Sequence, residues 1–138
     1  MTFLLELNEI DKIVKKLKEK LEVLDFNCVV ILRGDLASGK TTFVKNFVKS
    51  LDVDELVTSP TFSLQSIYSE NIFHYDVYNK TLEEFISLGL LEEFEKEGVH
   101  FVEWGDEKLE EILNSYGFNI IVLNIEKRDN KRLYTINE

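Results

Sequence analysis

Eight consecutive residues carry the most explicit chemistry in the chain: Gly34-Asp35-Leu36-Ala37-Ser38-Gly39-Lys40-Thr41, followed by Thr42. The pattern G-x-x-x-x-G-K-T is that of a phosphate-binding loop, and each residue type answers a separate demand. Glycines let the backbone turn tightly so that successive N–H groups point inward at phosphate oxygens, and the helix that follows adds its positive N-terminal end. Lysine at position 40 reaches the β- and γ-phosphates, and the Thr41 hydroxyl binds magnesium. The alternative is a glycine turn that merely caps a helix. The apolar run before the loop and the helical spacing after it favour the phosphate reading. A guanine reader of the form Asn-Lys-x-Asp is missing: Asn79-Lys80-Thr81-Leu82 and Asn130-Lys131-Arg132-Leu133 both lack the aspartate, which favours ATP over GTP.

Three further groups of residues have the types a phosphate site needs. In Ser59-Pro60-Thr61-Phe62 the proline fixes its own φ and pushes Ser59 towards extended geometry, so Thr61 is presented at a defined place; a plain turn leading into a strand is the alternative. In His74-Tyr75-Asp76-Val77-Tyr78, strand alternation puts His74, Asp76 and Tyr78 on one face, as a site or as the exposed side of an edge strand. Glu103 ends the run Val99 to Glu103. In a doubly wound sheet ligands sit outside the carboxyl ends of the parallel strands, so Glu103 is the expected metal-binding or water-activating acid. Trp104 has an apolar body and a polar tip and serves either a partner contact or packing. His100 reads as structural, and Cys28, the single cysteine, as a buried reduced thiol.

The elements that must position these groups follow from periodicity. Phe3 to Leu7 predicts a short strand; Ile10, Ile13, Val14, Leu17, Leu21 and Leu24 keep helical spacing, with Asn8 as N-cap. Cys28 to Leu32 is apolar on both faces, as in a central parallel strand covered on either side. Phe43, Val44, Phe47, Val48 and Leu51 return to helical spacing. Val57 to Tyr68 and Ile72 to Tyr78 look extended around a turn at 69–71, forming a hairpin or two neighbouring strands. Thr81 and Glu84 make a capping box for a helix that Gly89 interrupts. After the strand at 99–103 come a helix through Leu109, Ile112, Leu113 and Tyr116, a long strand from Phe118 to Ile125, and a final strand from Leu133 to Ile136. The expected architecture is a three-layer α/β fold of the P-loop NTPase type, one domain over residues 1–138, with a mainly parallel sheet and antiparallel additions.

Bulk properties limit the function classes. At 138 residues, with 44% hydrophobic and 30% charged residues, the chain can bury a core without disulfides or structural metal. No stretch approaches the ~20 apolar residues of a membrane span, and the N-terminus lacks the pattern of a signal peptide, so the cytoplasm is the expected compartment. The net charge of −10 argues against autonomous nucleic-acid binding, since affinity for phosphates rests on clustered Lys and Arg. Lys12, Lys15, Lys16, Lys18 and Lys20 do cluster, but as the solvated face of the first helix.

Taken together these residues resemble the bacterial TsaE (YjeE) family, the ATPase component of the machinery that makes threonylcarbamoyladenosine on tRNA. The resemblance runs through nearly the whole chain: Gly34-Asp35-Leu36, Ser59-Pro60-Thr61-Phe62, His74-x-Asp76-x-Tyr78, Leu88-Gly89-Leu90 and Glu103-Trp104, in that order. It implies ATP hydrolysis in support of TsaB and TsaD, with transfer to adenosine 37 of tRNA performed by TsaD. It also implies magnesium held by Thr41 and Glu103, Asp76 near the reacting phosphate, and Arg132 near the nucleotide. Lys40, Asp76 and Glu103 are then the expected catalytic residues. Ser59, Pro60, Thr61, His74, Tyr78 and Trp104 are the expected switch or partner-coupling residues. The chain departs from the family pattern at Ala37-Ser38, where Gly-Ala is usual, at Asn79 in place of arginine, and at Gly105 in place of a frequent proline, a change expected to loosen that turn. Two rival functions share the loop. A small-metabolite kinase needs several lid arginines, whereas this chain has only Arg33, Arg128 and Arg132; a nucleotide-gated assembly module would use hydrolysis only as a reset.

Overall fold

Strand β2 (Cys28–Arg33) is apolar on both faces because helices cover it from both sides in the computed structural model of the chain. The structure describes residues 1–35, 37–53, 55–57, 64–78 and 80–137; Leu36, Ser59, Pro60, Thr61 and Asn79 lie outside them. The remaining strands are β1 (Thr2–Leu5), β3 (Gln65–Tyr68), β4 (Ile72–Asp76), β5 (Val99–Glu103), β6 (Ile120–Arg128) and β7 (Lys131–Asn137). The helices are α1 (Asp11–Val23), α2 (Lys40–Ser50), α3 (Leu82–Ser87), α4 (Leu90–Glu93) and α5 (Glu107–Ser115).

The strands form one sheet in the order β1-β7-β6-β2-β5-β4-β3. Its four central strands, β6, β2, β5 and β4, run parallel, while β7 and β1 on one side and β3 on the other are antiparallel additions. Side-chain alternation sorts the core into two layers. Val30, Leu32, Phe101, Ile121 and Leu123 face α1 and α2, where Phe43, Val44 and Phe47 meet them. Val29, Ile31, Tyr75, Val102 and Val122 face the other way, against Phe85, Leu90, Phe94, Leu109 and Leu113. The Phe47 and Phe101 rings meet edge to face, their centroids 4.9 Å apart. Burying each contributes about 1.5–3 kcal/mol. This is the three-layer P-loop NTPase-like architecture that the sequence pattern predicts.

The hairpin alternative holds for residues 65–76: β3 and β4 pair antiparallel, Tyr68 opposite Ile72. Thr81 and Glu84 form the capping box, and Gly89 separates α3 from α4. Cys28 is buried with its thiol reduced. Asn8 is not an N-cap. Leu7–Glu9 forms a single 3₁₀ turn in which the Glu9 carboxylate accepts from the Glu6 N–H (3.1 Å), and α1 starts one turn later, after Ile10. Asp106, unremarked in the sequence, is the N-cap of α5, accepting from the Leu109 N–H at 2.9 Å.

Candidate functional site

Parallel register brings the site together. Leu32 of β2 and Asp76 of β4 are both register partners of Glu103, so three strands end in a row at their carboxyl edge. The loop from β2 to α2 rises from this edge, where ligands of doubly wound sheets bind. Gly34 has no substitute there: a Cβ would lie 2.4 Å from the Ile125 carbonyl oxygen and 2.5 Å from Ser38 Oγ. Gly39, at φ +111°, is the N-cap of α2 in a conformation that side chains rarely adopt.

Lys40 opens α2, and its side chain turns back into the loop. It is only 4% exposed, and its Nζ donates to the carbonyls of Gly34 (2.7 Å) and Asp35 (3.0 Å). The same ammonium lies 3.8 Å from the centre of the Trp104 ring. Burial pushes the lysine below its usual range, while the carboxylates of Glu103, Asp76 and Asp35 pull the other way. One residue further, the Thr41 hydroxyl donates to Glu103 Oε2 at 2.8 Å. That bond uses the hydroxyl's proton and leaves its lone pairs available, so Thr41 and Glu103 offer adjacent hard oxygen donors of the kind magnesium takes. Among the described residues no three of His, Cys, Asp and Glu are grouped as a metal site. A magnesium ion would therefore complete its shell with phosphate and water oxygens, its usual practice beside nucleotides.

The His-x-Asp-x-Tyr segment is divided by the fold. β4 lies inside the sheet, between β5 and β3, so His74 and Asp76 are buried and the edge-exposure alternative does not apply. His74 Nε2 bonds Glu103 Oε2 at 2.5 Å, and its Nδ1 faces the Tyr68 hydroxyl at 3.2 Å. Asp76 Oδ1 accepts from the Tyr78 N–H at 3.0 Å; Tyr78 lies past the strand end, 47% exposed, with its ring 4.8 Å from that of Trp104. Arg132 arrives from β7, and its Nε donates to the Ser38 carbonyl at 2.9 Å. Loop residues 37–42, Asp76, Tyr78, Glu103, Trp104 and Arg132 line one cavity of about 560 Å³.

Arg33 turns away, its guanidinium donating to the Gly105 carbonyl (2.9 Å) and to Glu110 (2.8 Å). Gly105 itself is tightly packed, since a Cβ there would lie 2.9 Å from Ile31 Cγ2. The turn at Gly105 is tied by Arg33 and leaves no room at its α-carbon. His100 lies on the opposite face of the sheet from Glu103. It is bonded to the Tyr75 hydroxyl (2.7 Å) and the Lys96 carbonyl (2.8 Å), a core role. The residue that sequence reasoning missed is Tyr68. Once the hairpin register is fixed, Tyr68 opposite Ile72 becomes the diagonal neighbour of His74, a signal that pairing alone could have supplied.

Comparison with known proteins bears on this arrangement. Residues 4–134 match the family model described as "Threonylcarbamoyl adenosine biosynthesis protein TsaE". The chain is 40% identical over 93 residues to the tRNA threonylcarbamoyladenosine biosynthesis protein TsaE of Treponema pallidum, covering 65% of this chain and 69% of that protein. It is 43% identical over 79 residues to the protein of the same name from Bacillus subtilis, covering 55% of this chain and 49% of the relative, so that match spans about half the relative's length. The crystal structure of Bacillus subtilis YdiB superposes with a TM-score of 0.68 at 26% identity, over 99% of this chain and 83% of that one. A match over residues 4–134 takes in every described element of the site, from the glycine loop to Arg132, and on that ground the chain belongs to the TsaE family of tRNA threonylcarbamoyladenosine biosynthesis proteins.

Proposed function

We propose that this chain binds ATP with magnesium and hydrolyses it in support of TsaB and TsaD, which make N6-threonylcarbamoyladenosine at position 37 of tRNA. The observation that carries the reading is the Thr41–Glu103 hydrogen bond, 2.8 Å long, at the mouth of a glycine loop that ends in Lys40. Phosphate oxygens would take over the donors that Lys40 now directs at the carbonyls of its own loop. The loop N–H groups and the start of α2 favour the same negative charge. Bound magnesium, held by Thr41 and Glu103, would neutralise charge on the phosphates. Asp76 orients the attacking water; the water oxygen bonds to the γ-phosphorus, the bond to the β-phosphate bridging oxygen breaks, and ADP, phosphate and a proton leave. Arg132 covers the loop residues beside the nucleotide, and no other arginine among the described residues lines the cavity.

With one arginine at hand, compensation of transition-state charge is modest and intrinsic turnover slow, which suits an enzyme completed by its partners. Ser59, Pro60, Thr61, Tyr78 and Trp104 couple the site to those partners. The net charge of −10 leaves tRNA to the partner proteins, within the cytoplasm.

The test is phosphate release by the wild type, Lys40→Ala and Glu103→Gln. Lysine removal is expected to lower turnover about a hundredfold or more with the circular dichroism unchanged. The glutamine, equal in size but uncharged, is expected to raise the magnesium requirement. Equal turnover in Lys40→Ala would overturn the nucleotide site, and an unchanged magnesium requirement in Glu103→Gln would overturn the metal site.

A further inference from the structure

We propose that His74 is the positioning residue for Glu103, donating to it from Nε2–H, with Tyr68 bonded behind it at Nδ1. This rests on the magnesium-ATP reading above and extends it to two residues that do not touch the nucleotide. Four side chains form a continuous hydrogen-bonded line from the sheet edge to the glycine loop: Tyr68 OH to His74 Nδ1 (3.2 Å), His74 Nε2 to Glu103 Oε2 (2.5 Å), and Thr41 Oγ1 to that same oxygen (2.8 Å). Three of the four are buried, His74 at 0%, Glu103 at 3% and Tyr68 at 4% exposure, and Thr41 at the loop end is half-buried.

Glu103 needs such a tether because its register partner across β4 and β5 is another carboxylate, Asp76, on the same face of the sheet. Two like charges in register repel, and an untethered Glu103 would turn from its neighbour and from Thr41. A donor below the carboxylate fixes its direction at the cost of one buried N–H, which the bond satisfies. The carboxylate selects the donor: Oε2 accepts from Thr41 and from Nε2–H of His74, and Nδ1 on the far side of the ring faces the Tyr68 hydroxyl, which donates to it in the Nε2–H tautomer. Metal-binding carboxylates are held by hydrogen bonds of this kind, and loss of such outer partners typically weakens metal affinity or activity about 10–100-fold.

Two measurements on the folded protein test the assignment. Long-range ¹H–¹⁵N spectra of the wild type without nucleotide or metal should show His74 protonated at Nε2 and bare at Nδ1, with the Nδ1 signal shifting in Tyr68→Phe. The opposite tautomer overturns the proposal. Magnesium titrations at saturating ATP should give half-saturation raised on the order of tenfold in His74→Phe. His74→Gln, which keeps a donor at the Nε2 position, should stay near the wild type, and magnesium-free nucleotide binding should not change. Wild-type magnesium dependence in a folded His74→Phe, or equal damage in both variants, overturns it. Should His74→Phe fail to fold, the spectra and His74→Gln decide. A wild type that binds no ATP would instead sink the magnesium-ATP reading, and the spectra would still stand.

Discussion

The Lys40 ammonium lies 3.8 Å from the centre of the Trp104 indole, which its own backbone holds in the left-handed region at φ +71°. A bulky residue adopts that conformation only when its surroundings impose it. Here the Trp104 N–H bonds the Leu32 carbonyl (3.3 Å), and the Tyr78 ring packs beside the indole. A lysine that turned from its own loop to a phosphate would change the surroundings of the indole. Because Trp104 is the one tryptophan in the chain, its emission should change saturably as ATP is added. Lys40→Ala should alter the starting spectrum and abolish the response. A nucleotide-dependent change of full amplitude in Lys40→Ala would show that the ammonium is not its source.

The Ala37-Ser38 pair, where the family usually has Gly-Ala, carries two local costs. Ala37 has φ +61°, a conformation that costs a residue with a Cβ about 1–2 kcal/mol. Ser38 is 2% exposed, and its hydroxyl has no hydrogen-bond partner among the described residues. Ser38→Ala should stabilise the protein by about 1 kcal/mol, since a buried unpaired hydroxyl is replaced by an apolar group of similar shape. Ala37→Gly should be closer to neutral, because the relief of strain is offset by about 0.5–1 kcal/mol of extra chain entropy in the unfolded state. Urea midpoints measured without nucleotide check both. A clear loss of stability in Ser38→Ala would mean that the hydroxyl is bonded after all.

Acid sensitivity should trace in part to His100. Burial lowers its imidazole below the usual histidine value, against the opposing effect of the bond to the Lys96 carbonyl. Burial likewise pushes the Tyr75 phenol up, so it stays a donor to Nδ1. The native state keeps His100 neutral, whereas the unfolded chain protonates it near pH ~6.5. As pH falls through that value the unfolded state takes up a proton that the native state refuses. Stability from this group is thus fully present above about pH 7 and is lost on acidification towards the folded-state value. Unfolding free energies at pH 7.5 and 5.5 should differ less in His100→Gln than in the wild type, although the variant is less stable at both. An equal or steeper acid loss in the variant would remove His100 as a cause.

Much of this was legible from residue order, for local reasons. A glycine loop works through backbone geometry that the loop residues themselves permit, so a turn between strand and helix at Gly34 to Thr41 could be expected from those residues alone. The capping box at Thr81 and Glu84 and the break at Gly89 are likewise encoded within a few residues. The unbroken apolar run from Cys28 to Leu32 required cover on both sides, and that implied the layers. Because the position of Glu103 at a strand end follows from the same rule, its nearness to the loop could be expected as well.

Partnership across the chain could not be read in this way. His74 and Glu103 are 29 residues apart, and Arg132 and Ser38 are 94 apart; only sheet order and register bring each pair within hydrogen-bonding distance. The strand pattern of residues 72–76 fits an edge or an interior strand equally, and the choice depends on whether β3 covers it. That choice ruled out the exposed alternative for His74 and buried it against Glu103. Periodicity in the sequence assigns each side chain to a face, but burial and pairing are properties of the neighbours that tertiary structure supplies.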